Sequence, residues 1–118
     1  MLLVNAISRE KLLLRQIERV KGQLAALGDL RPGSLSTQYS VCGTPGCRCK
    51  ATPPEKHGPY YQVSFTRKDK SSTKFVRKQD LASIRRELKN YDAMKTLVDR
   101  WIDLATELSG LRLAKKRP

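Results

Sequence analysis

Aromatic side chains are scarce in this sequence, seven in all or 6% of 118 residues, and hydrophobic residues of every kind make up 39%. A thick globular interior is excluded by that scarcity, while the apolar content stays above the level that marks a disordered chain. Something other than a large core must help hold the fold, and a bound metal is one usual answer. Acidic residues are also few, 11 against 24 Lys plus Arg, and histidine occurs once. No second histidine stands ready as a general base, and no glycine-rich phosphate loop is present. The carboxylates are scattered as solvated helix charges, so the sequence argues against an enzyme. Long apolar runs are missing as well. Met1-Leu2-Leu3-Val4 stops at Asn5, too short for a signal-peptide core and far too short to span a bilayer. The expected location is the cytoplasm, where thiols stay reduced and cysteines more often bind metal than pair as disulfides.

What the sequence has in excess is positive charge, a formal +13. Such a charge speaks to partners rather than fold, and nucleic acid is the commonest polyanion, with an acidic protein or an anionic membrane surface as alternatives. The excess is uneven. Residues 1–30 hold five basic and three acidic groups, residues 31–80 hold ten and three, and residues 81–118 hold nine and five.

Five segments follow from pattern. Residues 1–30 contain an amphipathic helix over 8–28, with Leu13, Ile17, Val20, Leu24 and Leu27 at coiled-coil spacing, Ser8 as N-cap and Gly28 as a left-handed stop. Residues 31–59 are so rich in Pro and Gly that no long helix or strand is expected. Residues 60–78 alternate as a β-hairpin. One strand is Tyr61–Phe65, a polar loop spans 67–72, and the return strand runs from Thr73 to Arg77 with Phe75 on the side of its partners. Residues 79–113 return to helical period through Leu81, Ile84, Leu88, Trp101 and Leu108, and residues 114–118 form a basic tail. The expected fold class is a small α+β zinc-binding domain whose two helices pack as an antiparallel coiled-coil-like pair. The second helix is about 20 Å longer than the first at 1.5 Å per residue. That mismatch motivates a homodimer or protein contact through Leu97, Trp101, Leu104 and Leu108.

All three cysteines and the only histidine fall in the second segment, spaced Cys42-x4-Cys47-x-Cys49-x7-His57. Three thiolates and one imidazole are a standard tetrahedral zinc set, closed to an activated water and therefore structural. One Zn2+ per chain is the expected cofactor. An iron–sulfur cluster and a metal-free set of small cysteines stay open as alternatives. The basic residues Arg48, Lys50 and Lys56 on this loop, and Arg67, Lys68, Lys70, Lys74, Arg77 and Lys78 on the hairpin, are the candidate nucleic-acid contacts. Tyr60 or Tyr61 is a candidate for stacking on an unpaired base, with core packing the plainer role for one of them.

The run Arg31-Pro32-Gly33-Ser34-Leu35-Ser36, then Tyr39, then Cys42-Gly43-Thr44-Pro45-Gly46-Cys47-Arg48-Cys49 and His57-Gly58-Pro59-Tyr60-Tyr61 resembles a signature shared by short, uncharacterised bacterial and archaeal proteins often encoded near mobile elements. The resemblance implies that the cysteines and His57 are ligands and that Arg31–Ser36 forms a motif, read as a rigid turn between helix and zinc loop. The order strand–loop–strand–helix over 60–91 is similar to the small three-stranded DNA-binding domains of some phage integrases. Both likenesses imply DNA more than RNA. The resulting expectation is a zinc-stabilised nucleic-acid-binding accessory protein without membrane attachment. A zinc-containing adaptor for an acidic protein and a structured-RNA or ribosome-associated protein are the alternatives.

Overall fold

A computed structural model describes residues 2–116. Helix α1 spans Leu2–Ala25, strands β1, β2 and β3 span Ser34–Ser40, His57–Arg67 and Lys70–Val76, and helix α2 spans Leu81–Lys116. Single 3-10 turns occur at Arg48–Lys50 and Lys78–Asp80. The chain forms two units. One joins α1 to α2 from Asn90 onward, and the other is Leu30–Lys89.

In the helical unit, Leu13 and Ile17 of α1 are buried with Leu108 of α2, and Trp101, Leu104 and Leu111 pack around them. The helices run antiparallel. Arg9 donates to both carboxylate oxygens of Glu107 at 2.9 and 2.8 Å, and Glu10 accepts from Arg112 at 3.0 Å and from Lys115. At the far end the Asn90 side-chain amide donates to the Asp29 carbonyl at 2.9 Å. Exposed ion pairs of this kind contribute about 0–1 kcal/mol each. A buried leucine contributes about 1.5–3 kcal/mol, so the apolar seam rather than the charges holds the pair.

Helix boundaries depart from the sequence reading. Helix α1 begins at Leu2, which places Ser8 inside it rather than at its cap. It ends at Ala25, and the left-handed glycines are Gly33, Gly46 and Gly58, so Gly28 is not the stop. Helix α2 continues through Lys116, which makes the described part of the basic tail helical; Arg117 and Pro118 lie outside the described residues.

The sheet unit is antiparallel with strand order β1-β2-β3. The expected hairpin is present, and a third strand, β1, joins it from a segment expected to carry none. Leu35 pairs with Val63 and Tyr61 with Val76, which sets these four residues on one face. Val63, Val76 and Leu81 are buried there, with Leu35, Tyr61, Ile84 and Leu88 packed against them. The first turns of α2 thus find their apolar partner in the sheet. The length mismatch that suggested a second copy is filled within the chain.

The β2–β3 turn is two residues, Lys68 and Asp69, with φ of 51° and 63°, where a loop over 67–72 was expected. Two consecutive left-handed residues match the twist of a hairpin, and Asn-Gly is their usual choice; here Lys-Asp adopts the turn without glycine. The register decides which apolar residue of β3 faces inward. Val76 opposes Tyr61, so Phe75 points to the opposite face and is 77% exposed, contrary to the expected side. A one-residue change of parity turns every side chain over.

Two glycines fix both ends of the β1–β2 ladder. A Cβ on Gly33 (φ +134°) would lie 2.7 Å from the Ser64 carbonyl oxygen, and one on Gly58 (φ +136°) 2.8 Å from that of Gln38. Only glycine fits both the backbone angle and the approach. Arg31 precedes this point, and its amide donates to the Glu87 carbonyl at 3.1 Å. The Arg31–Ser36 run therefore ties the start of β1 to the first turns of α2, and does not lead directly into the metal loop.

Candidate metal centre

Strands β1 and β2 are joined by residues 41–56, whose only regular structure is the 3-10 turn Arg48–Lys50. In this segment every residue is exposed except Cys42, Cys47 and Cys49, and Cys49 is 1% exposed. A loop that turns only its cysteines inward is organised around them. His57 is the first residue of β2 and pairs with Ser40, the last of β1. The ladder therefore delivers the imidazole to within two residues, in pairing terms, of Cys42.

The four side chains converge. Their ligand atoms all lie within 4.8 Å of one another. Cys42 Sγ is 3.7 Å from Cys49 Sγ, and Cys47 Sγ is 3.2 Å from His57 Nε2. Sulfurs placed about 2.3 Å from a common ion at tetrahedral corners stand about 3.8 Å apart, so the set fits one tetrahedral metal ion. The loop backbone supports it. Cys47 donates to the Thr44 carbonyl, Lys50 to that of Cys47, and Ala51 and Glu55 to that of Arg48. The Cys42 amide donates to Cys49 Sγ at 3.4 Å, and Lys50 Nζ donates to the Thr44 carbonyl at 3.0 Å.

Electrostatics separate two of the thiols. The Thr44 backbone hydrogen bond, then those of the His57 and Cys47 side chains, hold the Cys42 thiol down to about 6 from its ordinary 9.0. Burial, chiefly, pushes the Cys49 thiol up. Cys42 is thus a ready thiolate ligand at neutral pH, while Cys49 would have to give up its proton to bind a metal.

The expected basic contacts are distributed rather than gathered into one stripe. Lys74 opposes Val63, and Arg67 opposes Lys70, on the side that packs against α2. Lys68 occupies the turn, and Arg77 and Lys78 lie at the β3–α2 junction. Lys56 immediately precedes His57. Among the described residues none of these seven forms an ion pair, whereas Arg48 lies 3.9 Å from Glu55 and Lys50 is engaged with its own loop. Tyr61 is half-buried on the packed face and Tyr60 is 45% exposed on the open one. Sequence reasoning passed over Tyr39 and Phe75, which also stand exposed; the signal for Phe75 was the parity of the turn. Of the expected partner contacts, Leu108 is buried and Trp101 and Leu104 pack inward, while Leu97 is half-buried. The well-exposed apolar residues of this part of α2 are Ile102 and Leu113.

Among the described residues no helix is long and apolar enough to cross a membrane. Residues 10–86 match the model of a family described as a domain of unknown function (DUF6788), a span that takes in most of α1, the whole sheet and the first turns of α2. No curated protein and no solved structure matches the chain.

Proposed function

The chain belongs to the DUF6788 family, whose description assigns no activity, and from that premise we propose that it is a zinc-stabilised nucleic-acid-binding accessory protein. Three thiolates and an imidazole suit Zn2+ as a closed, structural ion. That reading makes the protein a binder rather than an enzyme, working in a reducing cytoplasm. The observation that carries it is the set of seven basic side chains around a small braced sheet, none of them neutralised by an ion pair among the described residues. Cations left free on a rigid scaffold are positioned for phosphates. The likeness to proteins encoded near mobile elements and to integrase domains favours DNA over RNA and a role beside a mobile element.

The test is a salt-dependent titration of metal-loaded protein against duplex DNA, single-stranded DNA and RNA. Affinity should fall steeply with salt. A Lys68→Glu/Lys70→Glu/Lys74→Glu variant should lose binding and keep its metal. Retained binding by that variant would move the contact surface elsewhere, and tighter binding to RNA would reverse the preference for DNA. A second reading, an adaptor for an acidic protein partner, is favoured by the exposed Ile102 and Leu113, which flank a shallow hollow with Ala105, Ser109 and Gly110. A stable complex in nuclease-treated lysate, lost on Ile102→Ala, would support it.

A further inference from the structure

Three of the chain's seven aromatic side chains stand in solvent on one side of the sheet. Gln38 pairs with Tyr60 and Gln62 with Phe75, so these four share the face opposite Leu35, Val63 and Val76. The register shift between Gln38 and Ser40 leaves Tyr39 as a bulge residue, and bulges re-aim side chains. Tyr39 passes over Gly58, where a Cβ would lie 2.9 Å from its ring. Gln38, Tyr39, Ser40, Tyr60, Gln62 and Phe75 together line one shallow hollow. Exposure is 58% for Tyr39, 45% for Tyr60 and 77% for Phe75.

Packing does not explain these rings, because Val76 and Tyr61 take the inward positions beside them. The rest of this face is uncharged. Ser64 and Thr73 hydrogen-bond at 3.0 Å, and Thr66 and Ser71 at 2.9 Å. Charge sits at its border: Arg77 continues β3 in extended backbone (φ −70°, ψ 150°), so alternation returns it to the side of Phe75, next to Tyr60. Of the basic groups on the hairpin, Arg67, Lys70 and Lys74 lie on the packed side, so the cations that border the open face are Arg77 and the turn residue Lys68. Flat apolar rings, amide and hydroxyl groups between them, and cations at the edge match the three parts of an unpaired nucleotide, namely a π-face, polar base edges and a phosphate. A duplex keeps its π-faces inside its own stack and offers the rings nothing to meet.

We propose that the open face of the sheet is a stacking platform for the unpaired bases of a single-stranded polynucleotide, with Phe75 and Tyr60 as the stacking rings and Tyr39 closing the hollow. This rests on the nucleic-acid reading above and narrows it.

The experiment uses the full metal-loaded chain with labelled oligo-dT and oligo-U of about 15 nucleotides, and a duplex hairpin, each at several salt concentrations. The Phe75→Ala and Tyr60→Ala variants replace exposed rings and should keep metal content and helicity. Phe75→Ala should weaken single-strand binding about 5- to 150-fold, with the salt slope unchanged because no phosphate contact is lost. Phe75→Trp should restore affinity, and the duplex should be little affected. Preference for oligo-dT or oligo-U identifies which single strand the platform takes. Wild-type single-strand affinity in both alanine variants, with binding still abolished by the triple glutamate variant, overturns the platform and leaves the basic reading standing. Failure of the unmodified protein to bind any polynucleotide overturns both. A fall from dimeric to monomeric mass in Phe75→Ala, with single-strand affinity unchanged, overturns it by making a second copy the occupant.

Discussion

Removing the metal should unravel one segment and spare the rest, and the structure sets the scale. Residues 41–56 form no ladder, bury no side chain but Cys49 and keep Cys42 and Cys47 half-buried. Ordering these sixteen residues costs at least about 16 kcal/mol at roughly 1–2 kcal/mol per backbone unit. The four backbone hydrogen bonds that Cys47, Lys50, Ala51 and Glu55 donate within the loop offset only about 2–6 kcal/mol. A structural zinc contributes about 10–16 kcal/mol, against a remaining cost of at least about 10 kcal/mol. The perturbation is a strong chelator, and independently Cys49→Ser; the assay is amide hydrogen exchange followed residue by residue. The amides of Lys50, Ala51 and Glu55 should lose protection at least a thousandfold, since even about 4 kcal/mol corresponds to that factor. Those of α1 around Leu13 and Ile17, whose packing includes no ligand, should be unchanged. If the loop amides stay protected in metal-free protein, the claim that the ion organises the loop fails.

Acid should release the metal. With Cys42 held at about 6, its thiolate is available above that pH, and protons compete for it below. Affinity should therefore already fall as pH drops through the neutral range, where Cys49 has a proton to give up, and more steeply below about 6, where Cys42 binds one as well. The fall should be about tenfold per unit for each displaced proton, as read by metal titration at several pH values from about 5 to 8. Leu13→Ala should cost about 2–5 kcal/mol in urea unfolding monitored on the helices, while Arg9→Ala, which removes only an exposed pair with Glu107, should cost less than about 1 kcal/mol. Gly58→Ala forces a side chain into the Gln38 carbonyl and should destabilise the sheet by about 1–3 kcal/mol, measured as a lower unfolding midpoint. Asp69→Gly relieves a left-handed non-glycine residue and should stabilise the sheet by up to about 1–2 kcal/mol, read as a higher unfolding midpoint.

Much of the site could be read before the fold. Three cysteines and a lone histidine within sixteen residues, separated by turn-forming glycines and prolines, announce a metal cluster because few other arrangements make use of them. The helices were equally plain, as Leu13, Ile17 and Val20 in one segment, and Leu81, Ile84 and Leu88 in the other, repeat at helical period. Strand β1 was not visible because its sequence, Ser34-Leu35-Ser36-Thr37-Gln38-Tyr39-Ser40, has one aliphatic residue to mark an inner face. Its neighbours supply the pairing, and the flanking Pro and Gly concealed it. The side chosen by Phe75 was hidden for another reason: adjacent Phe75 and Val76 are both apolar, and only the length of the preceding turn tells which one faces in. With Lys68–Asp69 as that turn, the aromatic goes out, and the open face acquires a chemical character that composition alone did not suggest.

The pairing of Ser40 with His57 means that an ion held by the four ligands would also work on the chain's connectivity. Without it, β1 and β2 can meet only by closing a loop of sixteen free residues, and the entropy of closure rises with the logarithm of that length. Once Cys42 and His57 share an ion, Val41 alone separates the last paired residue of β1 from the crosslink, and a distant strand becomes a local one. Pairing across such a clip has low effective contact order and should be fast. It also fixes what β1 leaves loosely specified, since a strand with a nearly two-sided polar surface can slip along its neighbour at little cost, and a crosslink one residue from its end leaves it a single register.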